Sequence, residues 1–223
     1  MKHLVAPSIL SADFAYLGDA VKLVHESEAD WIHIDVMDGR YVPNITIGPP
    51  VIASIRPFTK KIFDVHLMIV EPAQFIDEFQ KAGADILSVH IEACPHLHRT
   101  VQLIKEAGMK AGVAINPHTN VNQLEDILPD IDVVCMMSVN PGWGGQKFIP
   151  GTIKRIRKLK ELIESTRSKA LIEVDGGVGI DNGRNILKAG ADVLIAGNSI
   201  FKSPNPVQTI SSLKHLDVNT IYA

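Results

Sequence analysis

Lys81-Ala82-Gly83-Ala84-Asp85, running into Ile86 to Val89, returns as Lys188-Ala189-Gly190-Ala191-Asp192, running into Val193 to Ala196. Glu28-Ala29-Asp30 before Trp31 is a shorter third copy. Each full copy closes an amphipathic stretch and opens a short β-branched, apolar one. A helix end, a Gly turn and a buried strand make the αβ half of a βα unit. A unit that recurs along a chain announces a repeated architecture.

Working outward, apolar strand candidates begin near Leu4, Trp31, Ile62, Ile86, Ala111, Val133, Ala170 and Val193, with helical patterns in the gaps. Phe14, Leu17, Val21 and Val24 share one helical face. Phe75, Ile76 and Phe79 share another, with Pro72 placed for a first turn. Ile153, Ile156, Leu159 and Ile163 make a third stripe among basic residues. Strands too short and apolar to have a wet face, alternating with such helices, imply a parallel sheet. Eight units in 223 residues favour a closed barrel. A doubly wound sheet would place a GxGxxG after its first strand, and none stands there. The expected fold is α/β, a (β/α)8 TIM barrel, with one domain over 1–223 and a loosely held tail from Asp217 to Ala223.

Composition narrows the function. Hydrophobic residues are 46% and charged residues 21%, which excludes the disordered class. A net charge of −3 without a basic run gives no attraction for nucleic acid. Leu4 to Leu10, the apolar stretch near the start, is interrupted by Pro7 and Ser8, too short for a signal core or a membrane span. Two cysteines, Cys94 and Cys135, read as reduced thiols of a cytoplasmic protein.

A barrel works at the C-terminal ends of its strands. On the second strand His33, Asp35 and Met37 fall at i, i+2, i+4 and share one side. Asp64, His66 and Met68 repeat the spacing on the third, and the seventh ends in Glu173-Val174-Asp175. A hydrogen-bonded core histidine or a capping aspartate would explain any one of these residues singly. Together, four polar groups end three apolar strands, and buried charges need a partner or a metal. Two imidazoles with carboxylates suit Zn2+ first, and also Fe2+, Mn2+ or Co2+.

Three glycine clusters follow the last three strands: Asn140-Pro141-Gly142-Trp143-Gly144-Gly145, Asp175-Gly176-Gly177-Val178 and Ala196-Gly197-Asn198-Ser199. Glycine lets backbone N–H groups approach an anion, and barrels often hold phosphate after strands seven and eight. Ser8, ending the first strand, is placed for a substrate hydroxyl or for a turn. Met37, Met68 and Met137 are core filler or a polarisable ceiling over a pocket.

These residues resemble the ribulose-5-phosphate 3-epimerase family. The matching segments are Ala6 to Phe14, His33 to Gly39, Asp64 to Met68, Val139 to Phe148, Val174 to Gly177 and Ala196 to Ser199, and the match runs from about Leu4 to about Leu216. Trp143 and Asn198 stand where that family often has other residues, and neither supplies an acid or base. The resemblance implies a ribulose-phosphate-binding barrel in which His33, Asp35, His66 and Asp175 hold one divalent ion. Asp35 and Asp175 also act as the acid–base pair. Ser8 and His66 contact the substrate, the Gly-rich loops grip its phosphate, and the three methionines flank the reacting carbons. It further implies an isomerase, a homo-oligomer, and a place in pentose phosphate metabolism or carbon fixation.

The reaction so implied turns D-ribulose 5-phosphate into D-xylulose 5-phosphate through an enediolate, with one carboxyl on each face of carbon 3. Its nearest rival is a 3-epimerase of a six-carbon ketose phosphate, allulose 6-phosphate, separated by pocket length near Trp143. A decarboxylase of the orotidine-phosphate type would pair Asp with Lys on strand three, where this chain has Asp64-Val65-His66. A sugar-phosphate sensor would not need two carboxylates about the reacting carbon.

Overall fold

A computed structural model describes residues 3–217. The expected tail, from Asp217 onward, lies outside the described residues except for Asp217 itself. Eight parallel strands run β1 (Leu4–Pro7), β2 (Trp31–Met37), β3 (Ile62–Met68), β4 (Ile86–His90), β5 (Lys110–Ile115), β6 (Val133–Met137), β7 (Leu171–Asp175) and β8 (Val193–Ala196). Ladders join each strand to its sequence neighbour from β2 to β8, and β8 to β1. The barrel's seam lies between β1 and β2, which meet in one isolated parallel bridge, Ser8 with His33.

The helices are α1 (Leu17–Glu26), α2 (Pro49–Ile55), α3 (Ile76–Lys81), α4 (Leu97–Glu106), α5 (Thr152–Thr166), α6 (Ile180–Lys188), α7 (Asn198–Phe201) and α8 (Pro206–Lys214). Strand residues alternate between two buried environments. Ile32, Ile34 and Val36 of β2 pack outward in the layer shared with Val21 of α1 and Ile52 of α2. Cys135 and Met137 of β6 and Ile195 of β8 pack together in a second cluster with Ala6 and Val133. A strand buried on both faces needs no polar alternation, which is why these segments read as continuous apolar runs.

The repeated aspartates have one task. Asp30, Asp85, Asp132 and Asp192 each stand just before an even-numbered strand. Each donates its backbone N–H to a carbonyl of the preceding odd-numbered strand: Val5, Phe63, Ala111 and Ile172 in turn, at 2.9, 3.0, 2.8 and 2.8 Å. Each carboxylate then accepts the N–H of that same residue, at 2.8, 2.7, 2.9 and 2.9 Å. The reciprocal pair sets strand register at the end of the barrel away from the site. Asp132 is the fourth copy, hidden in the sequence because Pro129-Asp130-Ile131 replaces the Ala-Gly-Ala before it. Asp192→Ala should lower stability by about 1.5–3 kcal/mol, the usual worth of a hydrogen bond to a charged group. Urea unfolding with an unchanged slope would show it, and a midpoint equal to the parent's would remove this role.

The strands begin where expected to within one residue, β5 at Lys110 and β7 at Leu171. Three expectations need correction. Phe14 lies in a 3-10 turn ahead of α1, 42% exposed, while Leu17, Val21 and Val24 carry the buried face. Phe75 likewise ends a 3-10 turn and is 42% exposed, because the helix proper begins at Ile76. Between β5 and β6 there is no α-helix, only a 3-10 turn, Val121–Leu124. Asn120 accepts the N–H of Asn122 there, and Pro129 lies a few residues on. Side-chain competition and a missing donor both disfavour longer helix.

Candidate active site

The strand alternation that sends Ile32, Ile34 and Val36 outward sends His33, Asp35 and Met37 inward. Ladder pairing places Asp35 beside His66, His33 beside Asp64 and Met37 beside Met68. Ser8, just past β1, closes the seam beside His33. Its Oγ donates to Asp35 Oδ2 at 2.6 Å. Ser8 therefore holds a carboxylate as well as lining the cavity, and its Oγ accepts from Leu10 N at 3.4 Å, the turn role that was one of its two expected readings.

His33 and His66 are fully buried. His33 Nδ1 lies 2.6 Å from Asp64 Oδ2, so it carries the proton in that bond. His33 Nε2 then faces Asp35 Oδ1 at 3.4 Å and has no hydrogen-bond partner. His66 Nε2 lies 2.9 Å from His90 Nε2. His66 Nδ1, also unpartnered, faces Asp35 Oδ1 at 3.3 Å and Asp175 Oδ2 at 3.8 Å. One donor atom from each of His33, Asp35, His66 and Asp175 lies within 4.8 Å of the others. Lone pairs and carboxylate oxygens crowded in a dry site repel unless a proton or cation stands among them. Two imidazole nitrogens and two carboxylate oxygens suit a divalent cation, so the residues present fit the expected metal.

The surroundings drive the titrating groups apart. Burial alone would lower His33, but the charges of Asp35 and Asp64 outweigh it and raise the imidazole well above its usual range. The same carboxylates that favour a proton on His33 favour a cation there. Burial would raise Asp35, but the charge and hydrogen bond of His33, helped by His66, hold it well below the usual carboxylate range. Burial, with the charge of Asp35 next, lifts Asp175 to about 6. Two carboxyls pushed in opposite directions are the pattern of an acid–base pair.

Glu173, also fully buried, lies behind them. Burial and then the Asp64 charge push it well above its usual range. Both its oxygens and Asp64 Oδ1 lack hydrogen-bond partners. A proton on Glu173 facing Asp64 Oδ1 would satisfy both groups. Donor atoms of His33, Asp64 and Glu173 also lie within 4.8 Å of one another. Since His33 Nδ1 is committed to Asp64, this group works as the backing of the first. Burial raises the Cys94 thiol to about 11 and Cys135 well above its usual value, so neither is poised as a thiolate.

Above this floor opens a cavity of about 300 Å³. Ser8, Asp35 and Asp175 line it, with Met37, Met68 and Met137. So do Gly142, Trp143, Gly144 and Gly145, then Gly176 and Gly177, then Gly197, Asn198 and Ser199. The expected site residues thus converge. His33 and His66 do not line the cavity but lie in its floor, with His66 Nδ1 turned to Asp35 and Asp175.

The glycine loops are braced by side chains. Gly177 has φ +64°, and a Cβ there would stand 2.8 Å from the Gln146 carbonyl, so only glycine fits between the two loops. Asn182 accepts from Gly179 N and donates to the Gly177 carbonyl, both at 2.9 Å. Ser199 Oγ donates to the Val178 carbonyl at 2.8 Å, so its hydroxyl proton ties two loops together and is not offered to an anion. Trp143 stands at the rim, 52% exposed.

Sequence reasoning did not single out Asp64 and Glu173 as backing, nor His90 and Glu92. For Asp64, Glu173 and His90 the signal was the same i, i+2 alternation that marked His33 and Asp35, whereas Glu92 lies past β4 in a 3-10 turn and carried none. Asp38, which ended a quoted motif, is a loop clasp, accepting from Arg40 N at 2.8 Å, Tyr41 N at 2.9 Å and Val70 N at 2.8 Å.

Residues 4–201 match the model of the ribulose-phosphate 3 epimerase family. The chain is 54% identical to the ribulose-phosphate 3-epimerase of Bacillus subtilis, covering 94% of this chain and 97% of that one. It is 53% identical to the Synechocystis enzyme of the same name, covering 95% and 93%. Among solved structures, KGPDC from Streptococcus mutans superposes with a TM-score of 0.71 at 16% identity, covering 96% of each chain. Orotidine 5'-phosphate decarboxylase from Pyrococcus horikoshii superposes at 0.66 and 18% identity, covering 98% of this chain and 100% of that one. At such identities the two structures share the barrel alone.

Proposed function

Because the chain belongs to the ribulose-phosphate 3-epimerase family, we propose that it inverts carbon 3 of its substrate by proton transfer between Asp35 and Asp175. The chain is an isomerase that epimerises D-ribulose 5-phosphate, giving D-xylulose 5-phosphate. The observation that carries the mechanistic reading is the pair of buried, unpartnered nitrogens, His33 Nε2 and His66 Nδ1, turned toward Asp35 Oδ1 at the cavity floor.

His33, Asp35, His66 and Asp175 would hold a divalent cation, zinc the first choice and iron, manganese or cobalt compatible, which would supply Lewis acidity toward the substrate carbonyl. With Asp35 Oδ1 turned to the imidazoles, Oδ2 is the atom that exchanges a proton with carbon 3. Ser8 Oγ, donating to that oxygen at 2.6 Å, steadies its charged form. Asp175 Oδ2 faces His66, which leaves Oδ1 as its proton-carrying atom. Loss of the carbon 3 proton leaves an enediolate, and return of a proton from the other carboxyl inverts the centre. Roles exchange in the reverse reaction. Met37, Met68 and Met137 keep water from the carbanion, and backbone N–H groups of the glycine loops receive the phosphate.

Cytoplasmic residence and a homo-oligomeric state belong to the same reading. They are supported by two buried, unbridged thiols and by apolar side chains left in solvent, such as Tyr16 at 64% and Ile45 at 74%. No described helix is long and apolar enough to cross a membrane.

Proton NMR of the zinc-loaded protein with D-ribulose 5-phosphate in D2O should show xylulose 5-phosphate carrying deuterium at carbon 3. Product without deuterium would overturn exchange through a carboxyl. Faster turnover of allulose 6-phosphate than of the pentose would move the preferred substrate to the six-carbon sugar.

A further inference from the structure

One chain of hydrogen bonds, buried at its histidines and reaching the surface at Glu92, lies outside the mechanism above. It runs from His66 away from the cavity, through His90 at the end of β4, to Glu92 in the loop that follows. His66 Nε2 and His90 Nε2 are 2.9 Å apart, and His90 Nδ1 lies 3.2 Å from Glu92 Oε2. His90 is fully buried.

Glu92 is clamped at the outer end. Oε1 accepts from Asn116 N at 2.9 Å and from the hydroxyl of Thr119, and Oε2 accepts from the Tyr41 hydroxyl at 3.3 Å. Arg155 fixes the loop that provides two of those donors, bonding the carbonyls of Asn116 at 2.7 Å and Thr119 at 3.1 Å. The Tyr41 ring packs on His90 with centroids 4.7 Å apart, so the imidazole has little freedom to flip.

Proton positions follow from the outside inward. A carboxylate only accepts, so His90 Nδ1 must donate to Glu92. A neutral imidazole has one N–H, so His90 Nε2 is an acceptor. It can meet His66 Nε2 at 2.9 Å only if that nitrogen carries a proton. His66 Nδ1 is then a bare lone pair, turned to Asp35 and Asp175.

We propose that His90 and Glu92 are a positioning dyad that fixes the tautomer and ring direction of His66 and so presents its Nδ1 to the cation. Asp64 does the corresponding work for His33, but through Nδ1, so the two imidazoles are presented through opposite nitrogens. Outer partners of this kind both orient a ligand and raise its basicity. The inference rests on His66 being a ligand, as proposed above.

The test is zinc affinity by chelator competition, read independently of turnover. His90→Leu should weaken zinc binding about 10–100-fold, the usual effect of losing an outer partner. His90→Gln should recover most of that loss, since its amide oxygen can accept from His66 and its N–H2 can donate to Glu92. Unchanged affinity in His90→Leu, or a glutamine variant as weak as the leucine one, overturns the proposal. His66→Ala run alongside separates the two ideas. If it binds zinc as tightly as the parent, the ligand assignment fails and takes the dyad with it. If it loses zinc while His90→Leu does not, the dyad alone fails. Long-range 15N–1H spectra of the unmutated zinc-loaded protein decide the matter should a variant not fold. They should show His90 protonated at Nδ1 and His66 at Nε2, and a proton on His90 Nε2 refutes the dyad.

Discussion

Asp35→Asn and Asp175→Asn each lower kcat about 10²–10⁴-fold, the range expected when a positioned acid or base is lost. Asparagine keeps the size of the side chain and one oxygen donor, so the fold and part of the ion's coordination survive. It cannot take up or release a proton at neutral pH. Because each aspartate is also assigned to the ion, zinc content must be measured on the same samples. Turnover lost at parental zinc content assigns the deficit to proton transfer. Near-parental kcat in either folded variant removes the two-carboxylate mechanism. The two losses should be far from additive in the double variant, because either one alone already blocks inversion.

Asp64→Ala should lower stability by about 3–5 kcal/mol, the range for breaking one side of a buried pair. It leaves His33 Nδ1, now bonded at 2.6 Å, without an acceptor inside the barrel. It should also weaken zinc about 10–100-fold, since His33 loses the partner that aims its Nε2. Glu173→Gln is the contrasting change. Burial and the Asp64 charge push that carboxyl well above its usual range, so an amide of the same shape should stand in for a protonated acid facing Asp64 Oδ1. Its cost should stay within about 1 kcal/mol at neutral pH. Urea denaturation of both variants settles the pairing of roles. Equal losses would mean that Glu173 is charged and that the backing group is something other than a carboxylate with its proton-bearing neighbour.

The strand ends were legible because chemistry and alternation coincide there. His33, Asp35, His66 and Asp175 are polar residues in segments otherwise fit for a dry core, and period-2 counting puts them on the inner side. Glycine clusters were legible for a similar reason, since nothing about an ordinary turn calls for three of them after consecutive strands. What escaped were relations set by closure of the barrel. Ser8 and Asp35 are 27 residues apart and bond only because β1 folds against β2. His66 of β3, His90 at the end of its neighbour β4 and Glu92 in the turn just past it become a chain only once β3 and β4 are paired. Asp132 keeps the side chain of the register repeat while its flanking letters change, so pattern matching passed over it. Phe14 and Phe75 fit helical spacing but precede the first hydrogen-bonded turn, where 3-10 geometry rotates them into solvent.

The seam between β1 and β2 couples the chemistry to the integrity of the fold. At its lower end the strands are tied by Asp30 and Val5, at its upper end by the Ser8–His33 bridge and the Ser8–Asp35 hydrogen bond. Among the described residues no ladder joins them in between. Breathing of the barrel is therefore easiest along this line, where fewest backbone bonds must break together. The site spans the line, with Ser8 on one side and His33 and Asp35 on the other. Whatever binds there acts as a strap across the staves. By mass action, ligand at a hundred times its Kd adds about 2.7 kcal/mol to the closed form. Occupancy thus slows the opening of the same joint that presents the reacting groups, and the cylinder is most firmly hooped while the enzyme is at work.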